Sequence, residues 1–474
     1  MAVAQDTTGR ALLVGGEWVE TGEWDEVRSP YSGDVVGRVA RATAEHARAA
    51  VDAAEAAMRS PLPAHERAAI LQRVAASIGE RHEELARSIC AEAGKPIKAA
   101  RVEAARAVET YTAAADAART LTGETVPMDA SPAGEGKLAF TLRVPIGVVG
   151  AITPFNFPLN LVAHKLAPAL AAGCAVVLKP APATPLTALL LAEITEAAGL
   201  PAGWLNVVCG PAEEIGDVLV ADERVKALTF TGSGPVGWSL RQRAPRKRVL
   251  LELGNVTPLI VAADADLDAA AAAAARTAFF YAGQTCVSLQ SVHVHASVYD
   301  AFVERFLPRV RELVVGDPAD DATDVGPVID ERSRERLLQW IADSGGEVLT
   351  GGEPTADGLI PPTVVAEPRP EADLACAEAF GPVCTLRRFD DVEDAFARAN
   401  ATPYGLQAGI FTRDLSLALR AASRLEFGGV TVNEAPSWRV DHMPYGGVKG
   451  SGNTREGPRS AVRELTEERL VVIG

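Results

Sequence analysis

Between residues 145 and 253, short runs rich in Val, Ile and Leu take turns with stretches of helical spacing, and this alternation constrains the fold more than any other feature. The runs fall at 146–152, 175–179, 205–208, 225–230 and 249–253, with helical stretches at 159–170, 184–198, 212–220 and from Pro235 onward. Strands separated by a helix cannot pair as tight hairpins; they lie parallel, with helices covering both faces of the sheet. A ligand of such a sheet meets the carboxyl ends of its strands. Those ends carry Pro154-Phe155-Asn156, Lys179-Pro180, Thr231-Gly232-Ser233 and Glu252, so polar groups converge on one edge.

A second alternating series runs from 259 to about 432, with helices expected near 267–280, 299–314, 331–343, 392–399 and 415–425. It predicts a second α/β unit. Ahead of both, Ala-rich helical patterns cover 44–59, 64–93 and 96–121, and Gly94 followed by Pro96 marks one helix stopping and the next starting. The texture changes at 122–143, where 137–143 suits an extended strand, and the segment reads as a hairpin outside the main fold. The Gly- and Pro-rich stretch 345–370 is expected to be a surface loop. The stretch 463–473 closes on Leu470-Val-Val-Ile473, a terminal strand expected to be unpaired and so to invite a partner.

A chain of 474 residues exceeds one ordinary core and is expected to form about three domains. Its net charge of −16, with basic residues gathered only at 241–248 and interrupted there, argues against nucleic acid as a partner. The apolar run 269–275 is alanine-rich and too short to span a bilayer, so no membrane helix is expected. Residues 1–8 lack the charged and apolar regions of a signal peptide, which makes the cytoplasm the expected location. The six cysteines contain no Cys-x-x-Cys pair and meet no His cluster, which argues against disulfides and against a metal.

Reduced thiols are therefore expected, and one stands out by its company. Cys286 lies in Phe280-Tyr-Ala-Gly-Gln-Thr-Cys-Val-Ser288, and Glu252 precedes it by 34 positions in Leu251-Glu-Leu-Gly254. A thiol supplies a soft nucleophile and a carboxylate a general base, a combination suited to forming and hydrolysing a thioester. Composition alone does not choose Cys286 over Cys90, Cys174, Cys209, Cys376 or Cys384. A second motif, Phe230-Thr-Gly-Ser-Gly-Pro-Val-Gly237, has the Gly-x-Gly-x-x-Gly form between a strand and a helix. Taken by itself it would place a pyrophosphate at Gly232 and Gly234 and give Glu252 to a ribose.

Seven segments in order change that assignment: Pro154-Phe-Asn-Phe-Pro158, Leu178-Lys-Pro-Ala-Pro-Ala-Thr-Pro185, Phe230-Thr-Gly-Ser233, Leu251-Glu-Leu-Gly254, Gly283-Gln-Thr-Cys286, Glu378-Ala-Phe-Gly-Pro382 and Pro444-Tyr-Gly-Gly-Val-Lys-Gly-Ser-Gly452. Over nearly its whole length the chain resembles the NAD(P)-dependent aldehyde dehydrogenase superfamily. The resemblance implies an α/β fold with a variant Rossmann cofactor domain on a five-stranded sheet (1–121 and 145–253), a second α/β catalytic domain (254–440) and a β oligomerisation arm (122–144 and 458–474). A homodimer or homotetramer follows from the same likeness.

By position, Cys286 is similar to the family's nucleophile, Asn156 with the Cys286 N–H to its oxyanion hole, and Glu252 to the base that activates water. Lys165 and Glu456 match positions that relay protons to that base. Ile152, Thr153, Pro154 and Phe155 fall along the implied cofactor cleft, Lys179 matches the ligand of the adenosine ribose, Gly232 and Ser233 the pyrophosphate contacts, and Glu378 and Phe380 the pair at the nicotinamide ribose. Pro182 stands where NAD-preferring relatives often carry Glu, so the implied cofactor is NAD or NADP. Asn255 and Asn453-Thr454 depart from the family pattern; Asn255 brings a side chain near the base and is expected to affect how freely Glu252 swings.

The substrate of this resemblance is a small aldehyde, nearest the branch acting on lactaldehyde, phosphorylated glyceraldehyde and phosphonate-bearing aldehydes. His164, within Asn160-Leu-Val-Ala-His-Lys165, and the segment Trp438-Arg439-Val-Asp-His-Met443 point that way. Arg106 and Arg439 are candidates to grip an anionic substituent, with Phe157 and the small Thr285 also lining the pocket. An acylating enzyme passing the acyl group to coenzyme A, or a non-catalytic scaffold of the same fold, are the alternatives. Retention of Glu252 weighs against the first, and retention of Cys286, Asn156 and Glu252 against the second.

Overall fold

The computed structural model describes residues 9–474; the segment 1–8, on which the signal-peptide reading rests, lies outside the described residues. Two seven-stranded sheets carry the fold. In the first, five parallel strands stand in the spatial order Arg248–Glu252, Val225–Thr231, Val148–Ile152, Val176–Lys179, Leu205–Val207. The chain enters at Val148–Ile152, builds outward to Leu205–Val207, then crosses back to lay Val225–Thr231 on the other side. Consecutive connections from the two central strands thus diverge, and a crevice opens between the ends Ile152 and Thr231. All five expected strands are present.

Two more strands, Leu12–Val14 and Glu17–Val19, extend this sheet in antiparallel fashion and were not anticipated. Three-residue strands carry little periodic signal. Their turn was the legible part: Gly15 and Gly16 both take positive φ, 66° and 86°, as a two-residue hairpin turn requires. Beside them Trp24–Arg28, Val35–Ala40 and Gly9–Arg10 form a small separate sheet.

The second large sheet joins Thr363–Ala366, Val383–Phe389, Leu289–His295, Thr257–Val261, Gln407–Phe411 and Gly429–Val432 in parallel, with Glu347–Thr350 antiparallel at one edge. This corrects the expectation of a surface loop at 345–370. The segment supplies two strands, and Thr363–Ala366 is buried throughout. Gly351-Gly352 and Pro361-Pro362 give it the composition of a loop while they only punctuate the strands.

The helical pattern at 64–93 divides at Arg81 into Ala64–Glu80 and His82–Ala93. The long helix Ile97–Thr120 packs against Ala64–Glu80 and Asn160–Ala172 through buried Ala100, Ala104, Ala107, Ala114 and Ala115. Side chains this small let the helix axes approach closely. The close approach matters because Asn160–Ala172 begins beside the crevice.

The C-terminal strand Thr466–Ile473 pairs along its whole length with Leu138–Pro145, and Thr125–Val126 flanks the latter. The strand is therefore not unpaired, as expected from the sequence. Helix Pro458–Glu464 docks on Asn160–Ala172 and delivers the strand there, where Arg248 Nη1 binds the carbonyls of Glu464 and Thr466 at 2.6 and 3.1 Å. What stays open is the strand's outer edge and a group of exposed apolar side chains: Leu138, Leu142, Leu470, Val472 and Ile473. Among the described residues, no helix is long and apolar enough to cross a membrane.

Candidate active site

The nucleophile candidate follows a strained turn. Tyr281 and Ala282 take φ of 49° and 50°, a left-handed conformation that costs non-glycine residues energy and is held by its surroundings. Tyr281 donates through its hydroxyl to Ala93 O at 2.9 Å, and Gly283 leaves no room for a side chain, since a Cβ would lie 1.9 Å from Gly381 O. Gln284 then bridges outward, its Nε2 donating to Pro327 O at 3.2 Å and its Oε1 accepting from Ile329 N at 2.8 Å. Cys286 follows, partly exposed, with burial of its sulfur pushing the thiol up to about 11.

Asn156 reaches this turn from the end of strand Val148–Ile152. Its Nδ2 donates to Gln284 O at 2.9 Å, so one amide hydrogen fixes the side chain against the cysteine loop and the second remains for another acceptor. Glu252 arrives from the end of strand Arg248–Glu252. It is 4% exposed, and neither carboxylate oxygen has a hydrogen-bond partner. Burial first, and then the Glu456 charge, raise its proton affinity well above the ordinary carboxylate range.

Behind Glu252 sits a buried chain of charges. Lys165 Nζ lies 3.6 Å from Glu456 Oε1 and donates to Thr229 Oγ1 at 3.1 Å, and Arg439 Nη2 lies 3.3 Å from Glu456 Oε2. Burial opposes the charge on Glu456, but Lys165, His164 and Arg439 hold its carboxyl below the usual range. The two glutamates are thereby driven apart: Glu456 keeps its charge and Glu252 holds a proton more readily.

The two departures near this base are structural. The Asn255 side chain is fully engaged: its Nδ2 donates to Thr257 Oγ1 at 2.8 Å and Gln407 O at 3.0 Å, and its Oδ1 accepts from Leu406 N at 3.2 Å. It staples two strands of the second sheet. Asn453 acts as a short extra strand on Arg248–Glu252, its Oδ1 accepting from Leu251 N at 2.8 Å and its Nδ2 donating to Val249 O at 2.9 Å.

The residues matched to a cofactor by resemblance lie between this cluster and the crevice of the first sheet. Glu378 accepts from Asn255 N at 3.0 Å, and its other oxygen lies 2.1 Å from where a Cβ on Gly254 would be; burial pushes its carboxyl up to about 7. Phe380, at φ 50°, meets Phe155 edge to face at 5.8 Å, so the 154–158 and 378–382 segments close on each other. Thr153 and Thr231 have buried hydroxyls without partners, while Ile152 and Pro154 are partly exposed. Helix Gly234–Arg243 starts at exposed Ser233, beyond Gly232, and a Cβ at Gly234 would meet nothing within 4 Å. Lys179, 2% exposed, donates to Pro180 O at 3.0 Å, and burial lowers its ammonium to about 8. Pro182 is exposed just past it.

Residues 18–471 match the Aldehyde dehydrogenase family. The chain belongs to that family. Among its relatives, a 3-sulfolactaldehyde dehydrogenase of Priestia aryabhattai is 43% identical over 98% of this chain and 97% of its own length. A lactaldehyde dehydrogenase of Methanocaldococcus jannaschii is 40% identical over 98% of this chain and 100% of its own. A crystal structure of a glyceraldehyde-3-phosphate dehydrogenase from Methanocaldococcus jannaschii, complexed with NADP, superposes with a TM-score of 0.91 at 40% identity, covering 95% of this chain and 99% of that one. This aldehyde dehydrogenase is thus an NAD(P)-dependent oxidoreductase of the expected superfamily and branch.

In this aldehyde dehydrogenase the residues assigned to the substrate lie beside the nucleophile in a second polar cluster. Arg106 grips Asp441 with two bonds, Nε to Oδ2 at 3.0 Å and Nη2 to Oδ1 at 2.8 Å. His164 Nε2 lies 2.9 Å from Asp441 Oδ1 and 3.0 Å from Arg439 Nη2. Arg106 is therefore neither a solvated surface charge nor a bare cation; its inner edge is engaged and its Nη1 edge remains. Arg439 stacks on the Tyr445 ring at 3.8 Å, and its buried Nε–H has no acceptor. Phe157 lies under the Lys95 ammonium, 3.7 Å from its ring centre, and Thr285 is buried beside Cys286.

Four contributors went unassigned from the sequence. Asp441, Gln284 and Tyr445 all fall inside quoted motifs, where an acidic residue two positions after Arg439 was the available signal for Asp441. Glu103 was invisible: its carboxylate pairs with Lys95 and accepts from Leu159 N and Asn160 N at 2.9 and 3.0 Å, capping the helix that carries His164 and Lys165. Nothing local at position 103 announces a helix start 56 residues away.

Proposed function

We propose that this enzyme oxidises a small aldehyde bearing an anionic or hydroxyl group to the carboxylic acid, with Cys286 as nucleophile, Asn156 as oxyanion donor and Glu252 as general base. The observation that carries the reading is Glu252, a buried carboxylate with both oxygens unpartnered, facing the same cluster as a thiol and a half-used amide. A buried acid without partners is costly, and persists where a reaction needs it.

Attack by the Cys286 thiolate moves the carbonyl electron pair onto oxygen. The free N–H of Asn156 and the Cys286 backbone N–H receive that charge, and being fixed beforehand they need no reorganisation. When bound, the oxidised nicotinamide supplies the hydride acceptor that turns the tetrahedral adduct into a thioester. Glu252 then takes a proton from water, the resulting hydroxide attacks the thioester, and Lys165 with Glu456 stabilises the charge change behind it. The residues there fit such a cofactor: Thr153 and Thr231 offer unpartnered hydroxyls, the open start of helix Gly234–Arg243 suits a pyrophosphate, and Lys179 has donors to spare for a ribose. Glu378 and Phe380 would hold the second ribose. Pro182 offers no carboxylate to repel a 2′-phosphate, so both NAD and NADP are accepted in this reading.

Arg106 and Arg439 would receive the anionic end of the substrate through their unused donors, with His164 held between Asp441 and Arg439 beside them. Two relatives named above act on aldehydes that carry a sulfonate or a phosphate, and one on lactaldehyde, which carries neither. Following nicotinamide absorbance with neutral and anionic aldehydes, under NAD and under NADP, tests this directly. Arg106→Ala and Arg439→Ala are each expected to raise KM for the anionic aldehydes by roughly tenfold or more, the effect of losing a charge-assisted hydrogen bond, and to spare the neutral ones. Equal effects on both classes would remove the anion-binding role.

The division into a cofactor domain, a catalytic domain and an oligomerisation arm remains part of the same proposal, as does a cytoplasmic home. The exposed Leu138, Leu142, Leu470, Val472 and Ile473 form the apolar face through which a homodimer or homotetramer would assemble. A monomeric mass by light scattering would contradict it.

A further inference from the structure

The hydroxyl of Tyr445 lies 3.0 Å from Cys286 Sγ. Tyr445 is 4% exposed and packs with Val287 and Leu406, so its ring has little freedom to leave. Its backbone is pinned by a reciprocal pair with Glu456, N to O at 3.1 Å and O from N at 2.5 Å. The Arg439 guanidinium covers the ring face at 3.8 Å. The next residue, Gly446, runs against the base: a Cβ there would sit 2.8 Å from Glu252 Oε1 and 2.1 Å from Thr454 O. A single dipeptide thus spans from nucleophile to base.

We propose that Tyr445 is a catalytic residue whose phenol O–H donates to Cys286 Sγ, stabilising the thiolate that attacks the aldehyde. The proposal rests on the reading of Cys286 as the nucleophile. In the step, the S–H bond breaks and its proton passes to solvent water at the partly exposed sulfur, the electron pair stays on sulfur, and the S–C bond then forms with that pair. Tyr445 keeps its own proton throughout.

The direction of donation follows from the surroundings. Burial raises both groups, but their mutual hydrogen bond lowers the thiol and raises the phenol, so the contact favours a protonated phenol donating to an anionic sulfur. The charged groups around the pair are Arg439 and Glu456 from the closing loops, Glu252 from the strand end, Glu378 from the 378–382 segment, and Lys165 behind Glu456. Arg439 favours negative charge on the sulfur, and lying on the ring it makes the phenol a better donor. The carboxylates oppose the thiolate. A buried thiolate facing acids needs a fixed donor, and Tyr445 supplies one at hydrogen-bond distance.

Tyr445→Phe removes the hydroxyl and keeps the ring and its stacking with Arg439. The readout is the rate at which iodoacetamide alkylates Cys286, followed by peptide mass spectrometry across a pH series without aldehyde. The exposed Cys376 serves as an internal reference. The expected result is alkylation of Cys286 roughly tenfold slower near neutral pH, with the midpoint of its profile moved up by about one unit, while Cys376 is unchanged. A Cys286 profile superimposable on that of the unmodified enzyme would overturn the proposal. The reading beneath it fails in a different way, through a Cys286→Ser variant that still turns over. If the Phe variant melts early, site-specific replacement of Tyr445 by the more acidic 3-fluorotyrosine gives the opposite expectation, a midpoint moved down; no movement, or movement up, overturns the proposal.

Discussion

Cys286→Ser is expected to lower turnover by on the order of a thousandfold or more while cofactor binding, read by quenching of protein fluorescence, stays measurable. The hydroxyl is similar in size to the thiol, so the strained turn at Tyr281 and Ala282 and the Gln284 bridges should hold their shape. What changes is nucleophilicity: serine ionises far less readily than cysteine, and the surroundings of Cys286 already disfavour an anion, pushing even the thiol up to about 11. None of the other five cysteines is expected to substitute. Cys90, Cys174, Cys209 and Cys384 are buried away from the cluster, and Cys376 is exposed elsewhere. Turnover in this variant near that of the parent would end the covalent mechanism.

Glu252→Gln is expected to separate the two halves of the reaction. Reduced cofactor should appear in a burst of about one equivalent per site, followed by steady turnover lowered by roughly 10² to 10⁴, the range for loss of a general base. The amide has the shape of the carboxylate, but it cannot take a proton from water. In the parent enzyme the same residue predicts the sign of the pH dependence. Burial and Glu456 raise the Glu252 carboxyl well above its ordinary value, so below that raised value it is protonated and idle, and acyl release should climb as pH rises through it. Rapid-quench measurement of the acyl-enzyme decides both points. Unimpaired cycling in Glu252→Gln, or acyl release that falls as pH rises, would remove Glu252 from the role of base.

The parts of the fold that were legible have a common character. The five central strands and their helices repeat one pattern, hydrophobic runs of β-branched residues between amphipathic stretches, and such a pattern is local. Thr363–Ala366 was missed because its neighbours Gly351-Gly352 and Pro361-Pro362 dominate the composition of a segment whose strand is four residues long. Leu12–Val14 and Glu17–Val19 were missed for want of length. The terminal strand was seen but its partner was not, since pairing of Thr466–Ile473 with Leu138–Pro145 joins segments more than three hundred residues apart.

The site divides in a similar way. Asn156, Glu252, Cys286, Lys179, Glu378 and Glu456 could be singled out as candidates because each lies in a motif whose residue types carry chemistry on their face. Arg106 was found as a charge without its counter-ion, and Asp441, 335 positions away, turns it from a free cation into half of a bidentate pair. Asn255 was placed beside the base by its position in the chain, yet its side chain turns to Gln407 and Leu406.

By itself the amino-acid sequence determined that this chain builds parallel α/β sheets, that a thiol, an amide and a carboxylate stand at strand ends and in a turn, and that the chain resembles the aldehyde dehydrogenases. Only the tertiary structure decided who neighbours whom: Tyr445 against Cys286, Asp441 between Arg106 and His164, and Glu456 rather than Glu252 beside the cations. The physical reason is range. Strand and helix preferences are set within a few residues, whereas hydrogen bonding, charge pairing and burial act through space, between residues that folding alone brings together.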